Sequence, residues 1–193
     1  MPPAPRPARR LFLAGTAALT VTGGATVLGW PWRRGLPDPA DPRTTMQDVE
    51  AAVARLLPVP EITPAELVRR IDAGERIVLF DVREPAEYAQ SRIPGAIHVL
   101  PQASAREVLA QHGARKAGAT VVFYCAVGWR SGLMLQGIRQ AAAEAGAAAL
   151  FNLRGGVFRW YADARPLEFG PGEAGVHPFN GGWGRLLARM GGG

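Results

Sequence analysis

Short apolar runs and helix-like segments alternate along the middle of the chain. Four runs predict strands, three of which suit the core of a sheet that is buried on both faces. The predicted strands are residues 77–80, 95–99, 120–124 and 150–153. The predicted helices between them are residues 64–73, 84–89, 103–112, 131–145 and 158–162. Strands that alternate with helices at this spacing pair in parallel, so the sequence predicts an α/β sandwich with a mainly parallel central sheet and helices on both faces.

Two of the helix starts carry capping residues. Thr63 precedes Pro64, which suits the first helical position, and Glu66 completes a predicted capping box. Farther upstream, residues 45–57 have apolar side chains at helical spacing and begin with Thr45 and Asp48 in a similar relationship. We therefore expect a short amphipathic helix ahead of the main domain.

The first 34 residues have the composition of a targeting segment. The stretch ARRLFLAG, residues 8–15, resembles a twin-arginine export signal, and an apolar run over residues 11–30 follows. That run is roughly the length of about 20 residues that crosses a bilayer. Two outcomes stay open: cleavage as a signal peptide near Gly23, or retention as a membrane anchor. In either case we expect the body of the protein to be exported.

The remaining chain divides by composition into three parts. Residues 35–60 read as a linker with the short helix, residues 61–169 as the folded domain, and residues 170–193 as a C-terminal tail. In the tail, apolar residues from Trp183 to Met190 recur at helical spacing, with Arg185 on the polar side. This pattern predicts a short amphipathic helix that docks onto the domain or touches a membrane surface.

The positive charge of the chain is confined to its N-terminal part. The net charge is +6, and residues 1–34 contain five arginines without an acidic residue. The rest of the chain is therefore almost neutral. This distribution argues against nucleic acid as a partner, because nucleic-acid-binding domains carry clustered basic residues.

Cys125 is the only cysteine. It cannot form an internal disulfide, so it is either a buried apolar residue or a reactive thiol. The three histidines are scattered and make no metal-ligand cluster with it. We expect neither a metal nor a cofactor.

The segment FYCAVGWRS, residues 123–131, places this thiol between a predicted strand and a predicted helix. Loop amides and a helix start stabilise negative charge, Gly128 lets the backbone turn, and Arg130 brings a cation. We expect the Cys125 thiol to ionise readily there and to act as a nucleophile in a small anion-binding cradle. Asp81 follows another buried strand, so it should emerge at the same edge of the sheet.

Four motifs in chain order resemble the rhodanese domain, over roughly residues 61–168. They are FDVREPAEY (80–88), RIPGAIHV (92–99), CAVGWRS (125–131) and LRGGVFRW (153–160). Arg92 departs from the family pattern, where histidine is more usual. The resemblance implies a rhodanese-like three-layer sandwich and the transfer of sulfane sulfur through a persulfide on Cys125.

Loop length separates activities within this resemblance. Four residues lie between Cys125 and Arg130, as in sulfurtransferases, whereas related phosphatases and arsenate reductases have five. The resemblance implies that loop amides stabilise charge on sulfur, as an oxyanion hole does for oxygen, and that Trp129 forms one wall of the pocket or an exposed contact. The loop residues concerned are Ala126, Val127, Gly128, Trp129, Arg130 and Ser131.

The implied reactants are a small sulfur donor such as thiosulfate and a thiol or cyanide acceptor. A partner protein that accepts sulfur stays open, because the chain has no second cysteine to discharge the first. The alternative is a non-catalytic rhodanese module that binds an anion or a partner protein at the exported face of the membrane.

Three charged residues near the first motif are candidates for a supporting role. Asp81 and Glu87 are expected to support the site, by hydrogen bonds to the loop or by a structural ion pair at the strand end. Arg83 has two open roles: it attracts an anionic donor as a substrate-binding residue, or it joins that ion pair.

Overall fold

The computed structural model describes residues 35–116, 118–144 and 146–191. The predicted signal or anchor, residues 1–34, lies outside the described residues. Within the described residues, no helix combines the length and the apolar character needed to cross a bilayer.

The sheet and helices follow the alternation of the sequence pattern. The strands are β1 (Glu61–Ile62), β2 (Ile77–Asp81), β3 (Ser91–Arg92), β4 (Ile97–His98), β5 (Thr120–Tyr124), β6 (Ala149–Leu153) and β7 (Glu168–Phe169). The helices are α1 (Met46–Leu56), α2 (Pro64–Asp72), α3 (Pro85–Gln90), α4 (Ala105–Lys116), α5 (Trp129–Glu144), α6 (Gly156–Ala162) and α7 (Gly181–Arg189).

Five strands form a parallel sheet in the order β1-β6-β5-β2-β4. The pair β3 and β7, which the sequence pattern did not predict, is antiparallel and separate from this sheet. Each of these two strands has two residues, too few to show a period of alternation. The order places β5 between β2 and β6, so the end of β5 lies at the middle of the sheet edge.

Strand β5 explains why the sheet is covered on both faces. Val121 and Phe123 pack in a cluster with residues of α4 and α5. Val122 and Tyr124 pack in a second cluster with residues of α1, α2, α6 and α7. Successive strand side chains point to opposite faces, so one apolar run joins two helical layers. The predicted three-layer α/β sandwich is confirmed.

The two predicted caps differ in the structure. Thr45 and Asp48 form a complete capping box at α1. At α2, the Thr63 hydroxyl accepts a hydrogen bond from the Glu66 amide at 3.2 Å. The Glu66 carboxylate, however, binds two arginines of the next turn, Arg69 and Arg70. The predicted box at α2 is therefore half formed, because ion pairs at i+3 and i+4 take its carboxylate.

The C-terminal tail contains α7, and the apolar side of this helix faces the domain. Trp183, Leu186 and Leu187 are buried in the same cluster as α1. Arg189 Nη2 donates hydrogen bonds to three carbonyls of the linker, those of Pro39 (3.1 Å), Asp41 (3.2 Å) and Thr44 (3.1 Å). The linker and the tail are thus joined to each other on one side of the domain.

Candidate active site

Cys125 is the first residue after β5, at the carboxyl edge of the sheet. Its neighbour Tyr124 is paired in register with Asp81, the last residue of β2. Ligands of open parallel sheets bind beyond this edge. The loop from Cys125 to Gly128 then leads directly into α5, as the sequence predicts.

The carbonyl groups at the start of this loop face α6. The Cys125 carbonyl accepts a hydrogen bond from the Val157 amide at 2.9 Å, and the Ala126 carbonyl accepts one from Phe158 at 3.0 Å. In a trans peptide group the N–H points opposite to the C=O. The amides of Ala126 and Val127 therefore point away from α6.

Gly156 is what allows α6 to approach so closely. Its φ is +55°, and a Cβ at this position would lie 2.3 Å from the Cys125 carbonyl oxygen. That distance is impossible for a side chain, and the positive φ is itself unfavourable for residues other than glycine. The Gly-Gly step at the start of α6 is thus a condition for the shape of the cysteine loop.

Asn152 holds the other half of the loop. Its Nδ2 donates to the Gly128 carbonyl at 3.0 Å, and its Oδ1 accepts from the Ser131 hydroxyl at 2.7 Å. Gly128 has a φ of +91°, and a Cβ there would lie 3.3 Å from Asn152 Nδ2. Sequence reasoning missed Asn152, although a polar residue in an otherwise apolar core strand is an available signal.

Arg130 lies between a buried acid and an aromatic ring. Its Nη1 and Nη2 donate to the two carboxylate oxygens of Glu87 at 2.7 Å and 2.8 Å. The guanidinium carbon lies 5.0 Å from the centre of the Phe179 ring, within the range of a cation–π contact. Burial alone lowers the pKa of Arg130, but its hydrogen bonds to Glu87 and the charge of a Cys125 thiolate raise it above its ordinary value. Arg130 therefore stays charged beside the thiol.

A small pocket of about 30 Å³ adjoins Cys125. Such a volume holds one or two water-sized groups, and the Cys125 residue is only 1% exposed. The other lining residues are Leu36, Ala126, Val127, Trp129, Arg130, Phe179 and Trp183. Trp129 is half-buried, and its indole Nε1 is buried without a hydrogen-bond partner among the described residues.

Gly128 and Ser131, two of the predicted binding residues, support the loop through Asn152. Neither is among the residues that line the pocket. Both instead contact Asn152, through the Gly128 carbonyl and the Ser131 hydroxyl. Their side-chain and carbonyl contacts thus fix the loop's conformation.

Arg83 takes the structural role that the sequence left as its alternative. It is fully buried, and its Nε and Nη2 bind the Asp81 carboxylate, with Nη2 2.6 Å from Oδ2. Nη2 also donates to the Ser91 carbonyl. Burial lowers the pKa of Arg83, and the hydrogen bonds and charge of Asp81 more than offset this effect. A buried guanidinium that is paired with Asp81 does not readily present its charge to a donor, so the structure favours the structural role of Arg83 over the predicted substrate-binding role.

The arrangement is suited to stabilising a negative charge on one sulfur atom. The Arg130 guanidinium interacts with Cys125, the first two amides of the loop point away from α6, and the adjoining pocket has room for a further small group. Among the described residues, no cluster of three metal-ligating side chains is present. The chemistry that fits is nucleophilic attack by a thiolate, followed by stabilisation of an anion bound to it.

Comparison with known proteins agrees with this fold. The family model for the rhodanese-like domain matches residues 63–163, more than half of the chain. The chain belongs to the rhodanese-like domain family.

Two curated relatives and one solved structure illustrate the extent of the similarity. The Mycobacterium tuberculosis protein named "Probable adenylyltransferase/sulfurtransferase MoeZ" is 33% identical over 107 residues, 54% of this chain and 25% of that protein. A protein of Allochromatium vinosum named "Sulfurtransferase" is 33% identical over 116 residues, 56% of this chain and 94% of the relative. The crystal structure of a thiosulfate sulfurtransferase from Pseudomonas aeruginosa has a TM-score of 0.50 and 23% identity, covering 73% of this chain and 26% of that one.

The similarity to the P. aeruginosa structure, at 23% identity, concerns the fold alone. The chain spans only about a quarter of the length of the M. tuberculosis relative and of the P. aeruginosa structure. The A. vinosum relative, by contrast, is covered almost from end to end.

Proposed function

We propose that this protein is a sulfurtransferase that carries sulfane sulfur as a persulfide on Cys125. The observation that supports this most is the position of its only thiol, at the start of a loop whose first two amides point away from α6 and beside the charged Arg130. The sulfurtransferase named among its relatives supports the same reaction class. Thiosulfate as the donor and a thiol or cyanide as the acceptor are the finer parts of the proposal.

The proposed cycle has two balanced steps. The Cys125 thiolate attacks the outer sulfur of thiosulfate, the S–S bond to the sulfonate sulfur breaks, and sulfite leaves with the bonding electron pair. The enzyme now carries Cys125–S–S⁻. An acceptor anion, a thiolate or cyanide, then attacks the terminal sulfur, which leaves as a persulfide or thiocyanate, and the Cys125 thiolate is restored. One transfer is thus split into two easier displacements.

The residues have separate roles in this cycle. The amides of Ala126 and Val127 stabilise negative charge on Cys125 and on the added sulfur, as preorganised donors do for developing anions. Arg130 keeps a positive charge beside the thiol, and Glu87 fixes its orientation. The pocket of about 30 Å³ has the size for one added sulfur atom, since one or two water-sized groups fill such a space.

Steady-state turnover tests the proposal. Thiosulfate and cyanide are supplied to the wild type, to Cys125→Ser and to Arg130→Lys, and thiocyanate is measured. Cys125→Ser should fall to the uncatalysed rate, and Arg130→Lys should lose about 10²-fold, because lysine cannot reproduce the forked geometry. Absence of turnover with thiosulfate and with other sulfane donors would favour a non-catalytic module that binds an anion or partner protein.

We further propose that the domain works outside the cytoplasm, exported or tethered by residues 1–34. The support is the twin-arginine-like stretch at residues 8–15 and the apolar run behind it. Cell fractionation with N-terminal sequencing distinguishes a cleaved signal from an anchor. Recovery of the uncleaved chain in the cytosol alone would refute both.

A further inference from the structure

Three of the residues that line the Cys125 pocket do not belong to the family-matched part of the chain. Leu36 comes from the linker, and Phe179 and Trp183 come from the C-terminal tail. All three lie outside residues 63–163, where the rhodanese-like model matches. We call these three residues the terminal cover. The cover therefore lies outside the part of the chain that the family model matches.

The terminal cover is held by specific contacts. Asn180 caps α7 by accepting hydrogen bonds from the amides of Gly182 and Trp183 at 3.0 Å and 3.2 Å. Trp183 is buried in the main cluster. At the far end of the helix, Arg189 binds the linker carbonyls described above. Linker and tail thus form one joined layer over the cysteine loop.

Phe179 makes the direct contact with the active site. Its ring lies over the guanidinium of Arg130, and its backbone has a φ of +63°. The left-handed conformation is unfavourable for a residue other than glycine, and it persists where surrounding contacts require it. One such contact is the hydrogen bond from the Phe179 amide to His177 Nδ1 at 3.0 Å. The backbone is therefore locally strained at Phe179, the residue of the terminal cover that contacts Arg130.

The closed pocket is smaller than the reactants. The pocket has a volume of about 30 Å³, and the Cys125 residue beside it is 1% exposed. Ligand sites, by contrast, commonly have volumes of about 300 Å³ or larger. Next to it lies a groove of about 660 Å³, lined in part by Leu36 and Trp183, residues that also line the cysteine pocket. Movement of the terminal cover would open the cysteine pocket toward this groove.

We propose that Phe179 is a specificity-determining residue that, with Leu36 and Trp183, controls access to Cys125 by size. In the closed form the pocket holds the sulfur added to Cys125 and excludes bulky thiols. Displacement of Phe179 from Arg130 admits the donor and later the acceptor. The identity of these reactants rests on the proposed function, but control of access to the thiol does not.

Alkylation of the full-length chain tests control of access without any sulfur transfer. Every alkylation event reports on Cys125, because it is the only cysteine. The probes are iodoacetamide, which is small, and a polymer-linked maleimide, which is bulky. In the wild type both should react at least about tenfold more slowly than with denatured protein, since open minor states are commonly populated at about 10% or less. The bulky probe should be slowed more.

Phe179→Ala should react at least about tenfold faster than the wild type, with the larger gain for the bulky probe. The matched control is Phe169→Ala, an exposed phenylalanine in β7, which should react as the wild type does. Phe179→Gly also removes the ring, and glycine suits the positive φ. If circular dichroism shows that the alanine variant is unfolded, the alkylation rate of Phe179→Gly is the test of access control. Wild-type rates equal to those of denatured protein, or unchanged rates in a folded Phe179 variant, would overturn the proposal.

The same variants separate this inference from the proposed function. Sulfur loading from thiosulfate and discharge by cyanide or by a bulky thiol are measured in parallel. If alkylation depends on probe size but no protein takes up sulfur, the access control is supported and the sulfurtransferase proposal is rejected. Sulfur transfer with alkylation that Phe179 does not affect would reject the access control alone.

Discussion

Glu87 in α3 binds Arg130 in α5 through two parallel hydrogen bonds, at 2.7 Å and 2.8 Å. The side chain of Glu87 is 1% exposed and that of Arg130 is 11% exposed. Bidentate pairs of this kind fix orientation as well as charge. Glu87 thus determines where the guanidinium lies relative to Cys125, although the two residues are far apart in sequence.

Glu87→Gln should destabilise the protein by about 3 kcal/mol, because it leaves the buried Arg130 charge without its counterion. Denaturant unfolding measures the change in free energy. The control is Glu168→Gln, which breaks the more exposed pair with Arg92 and should cost less than about 1 kcal/mol. Similar small losses in both variants would show that the Glu87 pair is not needed for stability.

Gly156→Ala should destabilise the protein by at least about 2 kcal/mol and lower sulfur loading of Cys125, since strain and a steric clash coincide. The new Cβ would lie 2.3 Å from the Cys125 carbonyl oxygen, at a φ of +55°. Thermal or denaturant unfolding and the loading assay measure the two effects.

Gly137→Ala is the matched control for that substitution. Gly137 lies within α5, and apart from its chain neighbours and the nearby backbone of its own helix no atom lies within 4 Å of its would-be Cβ. Alanine there should stabilise the helix by about 0.5–1 kcal/mol. The account of the loop is contradicted if Gly156→Ala behaves like this control.

Asn152→Asp should cost about 2 kcal/mol or more, because a carboxylate oxygen replaces the buried donor to the Gly128 carbonyl. It should also slow sulfur loading, since the loop loses its support. Gln140→Glu makes the same amide-to-acid change on an exposed helix surface and should cost less than about 1 kcal/mol. Equal effects on unfolding would argue against a supporting role for Asn152.

We expect the protein to lose stability at high pH because Tyr124 is buried. Burial, together with the nearby Asp81 charge, raises the pKa of Tyr124 well above its ordinary value. Above about pH 10 the unfolded chain therefore loses the tyrosine proton while the folded chain keeps it, and the free energy of unfolding falls as pH rises. The slope from this group is at most about 1.4 kcal/mol per pH unit.

Denaturation curves from about pH 9 to about pH 11 measure this slope. Tyr124→Phe should have the shallower dependence, after a constant loss from the hydrogen bond that the Ile93 amide donates to the Tyr124 oxygen. Parallel curves for the wild type and Tyr124→Phe would show that Tyr124 ionises equally in both states.

The parts of the fold that the sequence predicted are those that local pattern determines. The strand at residues 120–124 is apolar on both faces, and it is β5 with the same bounds. Thr45 and Asp48 cap α1 as expected, since both partners lie within one turn. The position of Cys125 after β5 follows from the same local pattern.

The unpredicted features depend on contacts between distant segments. Glu87 and Arg130, which form an ion pair, are 43 positions apart in the sequence. Asn152 and Gly128, which are hydrogen-bonded, are 24 positions apart. Phe179 reaches Arg130 only because α7 folds back over the loop. The role of Arg83 was open for the same reason: its charge is visible in the sequence, whereas its burial depends on packing.

Intact mass spectrometry of the native protein after exposure to thiosulfate tests the central claim most directly. The account predicts that the wild type gains the mass of one sulfur atom, that cyanide removes it, and that Cys125→Ser gains nothing. A wild type that gains no sulfur from any sulfane donor, or a Cys125→Ser variant that gains as much, would contradict it.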